Sequence, residues 1–228
     1  MTAVTVAVDG SAGSGKSSVS RGVARALGMR YLDTGAMYRA ATLWMLRAGV
    51  DVADPVAVAG RAGEPRIEST TDPAAPAIAL DGVDVSAEIR TPEVTGAVSA
   101  VSAVPAVRSR MVQMQRDAVA GAVATGEGIV VEGRDIGTVV LPEANLKVFL
   151  VADPIVRAQR RAAEDAARGH GAAVEATAQD LARRDAADSQ RAASPLAKAD
   201  DAVVVDATYD DLATVIARVK ALVVDAGR

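Results

Sequence analysis

Residues 4–17 read Val-Thr-Val-Ala-Val-Asp-Gly-Ser-Ala-Gly-Ser-Gly-Lys-Ser. Apolar Val4, Val6 and Val8 predict a strand, and the run Val19, Val23, Ala24, Leu27 predicts an amphipathic helix after it. Between them Gly10-x-x-x-x-Gly15-Lys16-Ser17 stands in the strand, loop, helix order that a phosphate-binding loop requires. Successive backbone N–H groups around Gly10–Gly15 can wrap a polyphosphate, because glycine tolerates positive φ and puts no Cβ in the way. The helix that follows directs its positive N-terminal end at the same anion. In such a loop Lys16 reaches the β/γ-phosphates and the Ser17 hydroxyl ligates Mg²⁺. The plain alternative is a Gly/Ser-rich turn, which would not need the flanking strand and helix.

Three more runs, Ile129–Val131, Leu146–Val151 and Ala202–Val205, are continuously apolar, as parallel strands covered on both faces are. Helical patterns over 105–123, 154–168, 175–191 and 210–224 separate or follow them. Pro105 and Pro154 suit first helical turns, and Asp153 suits a cap. This alternation predicts an α/β fold with a parallel sheet between helical layers, whose ligands bind beyond the carboxyl ends of the strands. Residues 65–90 break the pattern. There Ile78–Val85, centred on Asp81-Gly82, reads as a hairpin with a type I′ turn, so a small antiparallel unit is expected as an insertion.

Half of the 228 residues are apolar, enough for a sizeable core, mostly Ala and Val with a single Trp and a single Phe. Lys and Arg number 25 against 29 Asp and Glu, and a net charge of −4 argues against holding nucleic acid through a basic field. With no cysteine, disulfides and thiolate metal sites are excluded. No run of 18 apolar residues and no cleavable leader pattern is present, so no membrane association and a cytoplasmic location are expected.

Arginine-bearing clusters carry the rest of the chemistry. Asp33-Thr34-Gly35-Ala36-Met37-Tyr38-Arg39 places an arginine one turn into a Thr-Gly helix start, suiting an anion or a nucleoside monophosphate; a surface arginine on an ordinary helix start reads equally well. Glu132-Gly133-Arg134-Asp135-Ile136-Gly137-Thr138 follows the 129–131 strand directly, where open α/β sheets bind ligands; a structural turn with an internal ion pair is the alternative. In Arg183-Arg184-Asp185-x-x-Asp188-x-x-Arg191, residues Arg184, Asp188 and Arg191 share one helical face. Arg157, Arg160 and Arg161 make a second basic face. Taken singly, each stripe reads as a solvated salt-bridged surface. A phosphate loop in the same chain makes both candidates for a phosphate-clamping lid.

Five segments together resemble the bacterial cytidylate kinases: GSAGSGKSS (10–18), DTGAMYR (33–39), GVDVSAEIRTPEV (82–94), EGRDIGTVVLP (132–142) and RRDAADSQRAASPL (183–196). They span nearly the whole chain in that family's order. Ser11-Ala12 stands where a proline is frequent and Thr34 where serine is common. The resemblance implies ATP-dependent phosphorylation of CMP and dCMP on a three-layer phosphate-loop fold with an inserted monophosphate-binding domain and a short lid. It implies core segments 1–32, 105–153 and 200–228, a CMP-binding domain over 33–104 containing the antiparallel insertion, and a lid over 154–199, in a protein expected to be monomeric. By the same resemblance ATP lies on Gly10, Ser11, Ala12, Gly13, Ser14, Gly15, Lys16, Ser17 and Ser18, with Arg157 beside it and Mg²⁺ on Ser17. The CMP phosphate falls to Arg39, Arg134 and Arg191, the base to Thr34, Arg108 and Asp135, and the sugar to Ser99, Arg184 and Asp188. Lys16, Arg134, Arg191 and the lid arginines Arg160 and Arg161 are the expected catalytic groups.

Two rival classes stay in view. Another small-acceptor kinase, of uridylate, adenylate or shikimate type, shares the loop and lid and differs only in the acceptor cluster. A GTPase switch needs an Asn/Thr-Lys-x-Asp motif after a strand, and the chain has none. His170, in a Gly-His-Gly stretch, reads as an exposed lid residue, and Trp44 as core rather than a stacking platform.

Overall fold

A computed structural model describes residues 3–227. Strands β1 (Thr5–Gly10), β2 (Arg30–Asp33), β6 (Ile129–Gly133), β7 (Leu146–Val151) and β8 (Val203–Asp206) form one parallel sheet in the order β2-β6-β1-β7-β8. The register aligns Asp9 with Gly133 on one side of β1 and Phe149 on the other, so the loops after β1 and β6 emerge side by side. Fully buried Val6, Val8, Val130, Val131 and Leu150 explain the continuous apolar runs. Each such side chain contributes about 1.5–3 kcal/mol by leaving water.

One face of the sheet packs on α1 (Lys16–Leu27) and α8 (Leu212–Ala226), around Val19, Val23, Val215 and Val219. The other packs on α2 (Thr34–Arg47), α4 (Pro92–Ala103) and α5 (Pro105–Ala124), around Leu32, Met37, Met45, Val101 and Met111. This is the expected α/β/α arrangement. Two further helices, α6 (Pro154–Ala167) and α7 (Val174–Ser189), pack on each other and on the phosphate loop through Ala12, Ala158 and Leu181. No helix among the described residues is long and apolar enough to cross a membrane.

Strand β2 was not among the expected strands. It has four residues, of which only Tyr31 and Leu32 are buried, and it gains its place by pairing with β6. Helix α3 (Pro55–Arg61) and helix α4 also lie outside the expected patterns. The insertion is antiparallel as expected, but it holds three strands, β3 (Ile67–Ser69), β4 (Ile78–Leu80) and β5 (Val83–Asp84), in that order. Asp81 and Gly82 both take positive φ, 54° and 81°, which is the I′ geometry that Asp-Gly favours. His170 is exposed. Trp44 is partly buried against the core, with the Arg61 guanidinium 5.0 Å from its ring centroid.

Candidate active site

The first side of the cleft begins where β1 turns into the loop. At Gly10, φ is 149°, and a Cβ would lie 2.1 Å from the Leu150 carbonyl oxygen of β7, so no side chain fits. Gly15 caps α1 in the left-handed region and leaves the first helical N–H groups free to meet an anion. The buried Lys16 folds back across the loop, its Nζ donating to the Ser11 carbonyl at 2.8 Å. Burial, then the positive charge of Arg134, pulls its pKa down. Ser17 and Ser18 are exposed on the cleft wall. Beneath them Glu132, at the end of β6, is buried, accepts the Tyr31 hydroxyl at 2.5 Å and interacts with Ser17. Its carboxyl is pushed up by burial and by Asp33.

Helices α6 and α7 hold the loop from outside. Arg157 Nη1 donates to the Ala12 carbonyl at 3.0 Å and to Asp185 Oδ2 at 2.5 Å, while Ala12 N–H donates to Asp185 Oδ1 at 3.1 Å. One loop residue, Ala12, is therefore held at both its N–H and its carbonyl by side chains of α6 and α7.

The opposite side of the cleft is built on the turn after β6. Arg134 Nη1 donates to the Gly10 carbonyl at 3.0 Å and its Nε to Asp188 Oδ2 at 2.9 Å. Asp188 also pairs with Arg191, 3.5 Å away. From α2, the buried Arg39 donates to the Ile89 carbonyl at 3.1 Å and to Thr95 Oγ1 at 2.8 Å. Burial, reinforced by Arg184, Arg161 and Arg90, pushes its pKa down to about 9. Burial lowers Arg184 and Arg191 as well, with Arg134 the next cause for the first and Arg108 for the second. Cations crowded together out of water in this way form a site that an anion relieves. Deeper in the cleft Arg108 Nη2 meets Asp135 Oδ2 at 2.5 Å, both buried, and Arg108 Nη1 donates to the Ser102 carbonyl at 3.1 Å. Thr34 Oγ1 donates to the Glu132 carbonyl at 2.7 Å.

One cleft thus gathers Lys16, Ser17, Ser18, Thr34, Arg39, Ser99, Arg108, Arg134, Asp135, Arg161, Arg184, Asp188 and Arg191, with Ala12, Gly13 and Gly15 on its rim. Gly10, Ser11 and Ser14 lie behind it in the loop, and Arg157 grips the outer side of that loop. Arg160 is the expected catalytic residue that the structure does not bring there. Its Nη2 donates to the carbonyls of Ala207 at 2.6 Å and Thr208 at 3.5 Å, tying α6 to the segment after β8. Glu132, Tyr38 and Arg90 on the cleft wall, and Asp9 at the end of β1, are among the residues that carry no expected role. The first three sit inside quoted motif segments, where Glu132 could have been picked out as an acid ending a buried strand. Asp9 immediately precedes the loop motif, and nothing in the sequence says that its oxygens face the turn at 136–137.

A glycine loop running into a helix N-terminus and facing buried guanidiniums, beyond the carboxyl ends of a parallel sheet, defines a phosphate-loop phosphotransferase. A sequence model described as cytidylate kinase matches residues 6–225. The chain belongs to the cytidylate kinase family. It is 57% identical over 221 residues to a cytidylate kinase of Streptomyces avermitilis, covering 97% of this chain and 93% of that one. It is 52% identical to a cytidylate kinase of Nocardia farcinica, covering 99% and 97%. The crystal structure of an uncharacterized protein from Eubacterium ventriosum aligns with a TM-score of 0.54 at 11% identity, covering 97% of this chain and 98% of that one, a likeness of fold alone.

Proposed function

We propose that this cleft moves the terminal phosphoryl group of ATP onto the phosphate of CMP, giving CDP, and accepts dCMP as well. An oxygen of the acceptor phosphate is already anionic, so it attacks without a dedicated general base. The chain's own task is to align two polyanions and neutralise their charge. Lys16 leaves the Ser11 carbonyl for the β/γ oxygens, while the loop N–H groups hold the rest of the donor. Arg39, Arg134 and Arg191 present planar forks to the acceptor phosphate, and Arg161 approaches the transferring group from the lid. Asp135, its charge balanced by Arg108, accepts a hydrogen bond from the cytosine amino group and repels the carbonyl that uracil has there. Thr34 stands beside it. Ser99, Arg184 and Asp188 face the sugar.

The Ser17 hydroxyl and the Glu132 carboxylate beside it are hard oxygen donors that suit Mg²⁺. These two side chains would hold the ion, which would supply positive charge to neutralise the donor phosphates. We assign residues 154–199 to a lid that closes over both nucleotides, 33–104 to the CMP-binding domain, and the remainder to the core. A closed lid keeps water from the phosphoryl group.

The observation that carries this reading is the convergence of guanidiniums from α2, from the turn after β6 and from α7 and its exit on one cleft opposite Lys16. A coupled assay with ATP and magnesium across CMP, dCMP, UMP, AMP and shikimate tests it. CMP and dCMP should be turned over far faster than the others. Equal rates with UMP would overturn the role of Asp135, and no transfer to any cytidine nucleotide would overturn the whole reading.

A further inference from the structure

The buried face of α5 steps every fourth residue through Val107, Met111, Gln115 and Val119. Three of these are core side chains; the third in line is an amide. Gln115 is 1% exposed, and neither Oε1 nor Nε2 makes a hydrogen bond to any described residue. Gln113, on the exposed side of the same helix, donates to Asp117 at 2.7 Å as an ordinary surface amide does. A buried amide without a partner has lost its water hydrogen bonds and gained nothing in return, so it requires a reason.

Gln115 is one of several such groups. Ser14 Oγ, Ser20 Oγ, Tyr38 Oη, Arg108 Nε, Thr138 Oγ1, Arg184 Nε and Arg191 Nε are also buried without a partner. Of these, Tyr38, Arg108 and Arg191 share one neighbourhood with Gln115. The Tyr38 hydroxyl interacts with Gln115, Arg108, Asp135 and Arg191, although it closes no hydrogen bond of good geometry with the amide. The Arg108 guanidinium lies 5.2 Å from the centroid of the Tyr38 ring, within cation–π range. The other Arg108 contacts are the 2.5 Å pair with Asp135 and the Ser102 carbonyl. Tyr38, Arg108 and Asp135 line the cleft, and the buried Gln115 interacts with the first of them. A physical chain therefore runs from the amide through the phenol to the guanidinium that holds the base-reading carboxylate.

We propose that Gln115 is a positioning residue for base recognition, setting Tyr38 so that Arg108 presents Asp135 to the pyrimidine. This rests on the reading of the cleft as a CMP site. Gln115 touches neither nucleotide. The unpartnered amide is a local loss of stability kept for substrate discrimination, as functional sites commonly show.

Gln115→Met tests the inference, because methionine has a similar length and continues the apolar stripe; Gln115→Leu is the second replacement. With the orphan amide gone, Tm should stay level or rise by about 2–4 °C. At the same time kcat/KM for CMP should fall about 10- to 100-fold, as expected when a reacting partner is misplaced by a fraction of an ångström. The preference for CMP over UMP should shrink with it, while KM for ATP stays unchanged. Tyr38→Phe should lose the same discrimination, and the double variant should be no worse than either single one. A drop in Tm with the CMP preference intact would make Gln115 a structural amide and overturn the proposal. So would equal losses for CMP and UMP. If the unaltered enzyme itself fails to prefer CMP, the reading of the site falls; if it prefers CMP and both Gln115 variants keep that preference, only this inference does.

Discussion

Cytosine offers an amino donor at C4 and an acceptor at N3 where uracil offers a carbonyl and an N–H; in the proposed role Asp135 faces C4, where a carboxylate can accept from the amino group and not from the carbonyl. Asp135→Ala should reduce the CMP to UMP ratio of kcat/KM by about 100-fold or more, since rejection by an unpaired buried group is strong. It also leaves Arg108 buried and unpaired, so a loss of about 3–5 kcal/mol in urea denaturation should accompany it. Asp135→Asn keeps the shape and supplies a donor for the uracil carbonyl, so the ratio should move toward UMP. An unchanged ratio in both variants would refute the assignment. Lys16→Ala removes the charge that we propose for the donor phosphates. Turnover should drop about 100- to 1,000-fold while far-UV circular dichroism stays native; near-normal turnover would contradict its role. Lys16 and Asp135 were legible because their motifs fix them relative to a strand end. Arg160 was not, because Arg157, Arg160 and Arg161 lie on one helix and spacing alone does not say which of them faces the cleft. The rotation of α6 is set by Ala158 and Ala162 packing inward, and alanines in an alanine-rich run give little sign of which side is buried.

Two elements are locked together by a carboxylate that no motif marks. Asp9 ends β1, and its two oxygens accept the N–H groups of Ile136 and Gly137 at 2.8 Å each, in the wide helical turn over Ile136–Val140 that follows Asp135. Turns of this kind are common beside functional sites. Burial nevertheless outweighs those bonds and raises the Asp9 pKa from 3.8 to about 6. Between those values the folded protein keeps a proton that the unfolded chain has released. The contribution of Asp9 to stability therefore falls as pH rises from about 4 to about 6, and the full penalty, about 3 kcal/mol, is present above that. Asp9→Asn does not titrate. Relative to it, the unaltered protein should lose about that amount between pH 4 and pH 7 in urea denaturation; a difference independent of pH would refute the account. Element by element, β1 was legible from Val4, Val6 and Val8, and β6 and β7 as continuous apolar runs inside the covered sheet; β8 was read in the same way, although Val203 and Val204 of this edge strand are exposed. Strand β2 escaped, having only two buried residues to signal it. Helix α4 escaped too: Val94, Val98 and Val101 share a face, but its Val, Thr, Ser and Gly residues are weak helix formers whose conformation is set by packing on α2 and α5.

The molecule as a whole is negative, with a net charge of −4, yet its cleft concentrates guanidiniums, and burial drives the pKa values of Arg39, Arg184 and Arg191 down. The sequence showed the average charge and the arginines separately. Their convergence depends on three chain segments that only the fold brings to one place. A substrate phosphate should therefore act on global stability as well as on catalysis, because it relieves repulsion that the empty cleft carries. At 100 times its Kd, CMP should stabilise the native state by about 2.7 kcal/mol, which for a chain of this size raises Tm by about 5–10 °C. Cytidine offers the same base and sugar without the anion, so at equal concentration it should shift Tm by less than about 2 °C. Inorganic phosphate should move Tm in the same direction as CMP, and Arg39→Met should flatten the response to both anions while leaving that to cytidine as it was. Thermal unfolding with the three ligands in parallel decides the matter: equal shifts from CMP and cytidine would mean that the arginine cluster does not hold the acceptor phosphate.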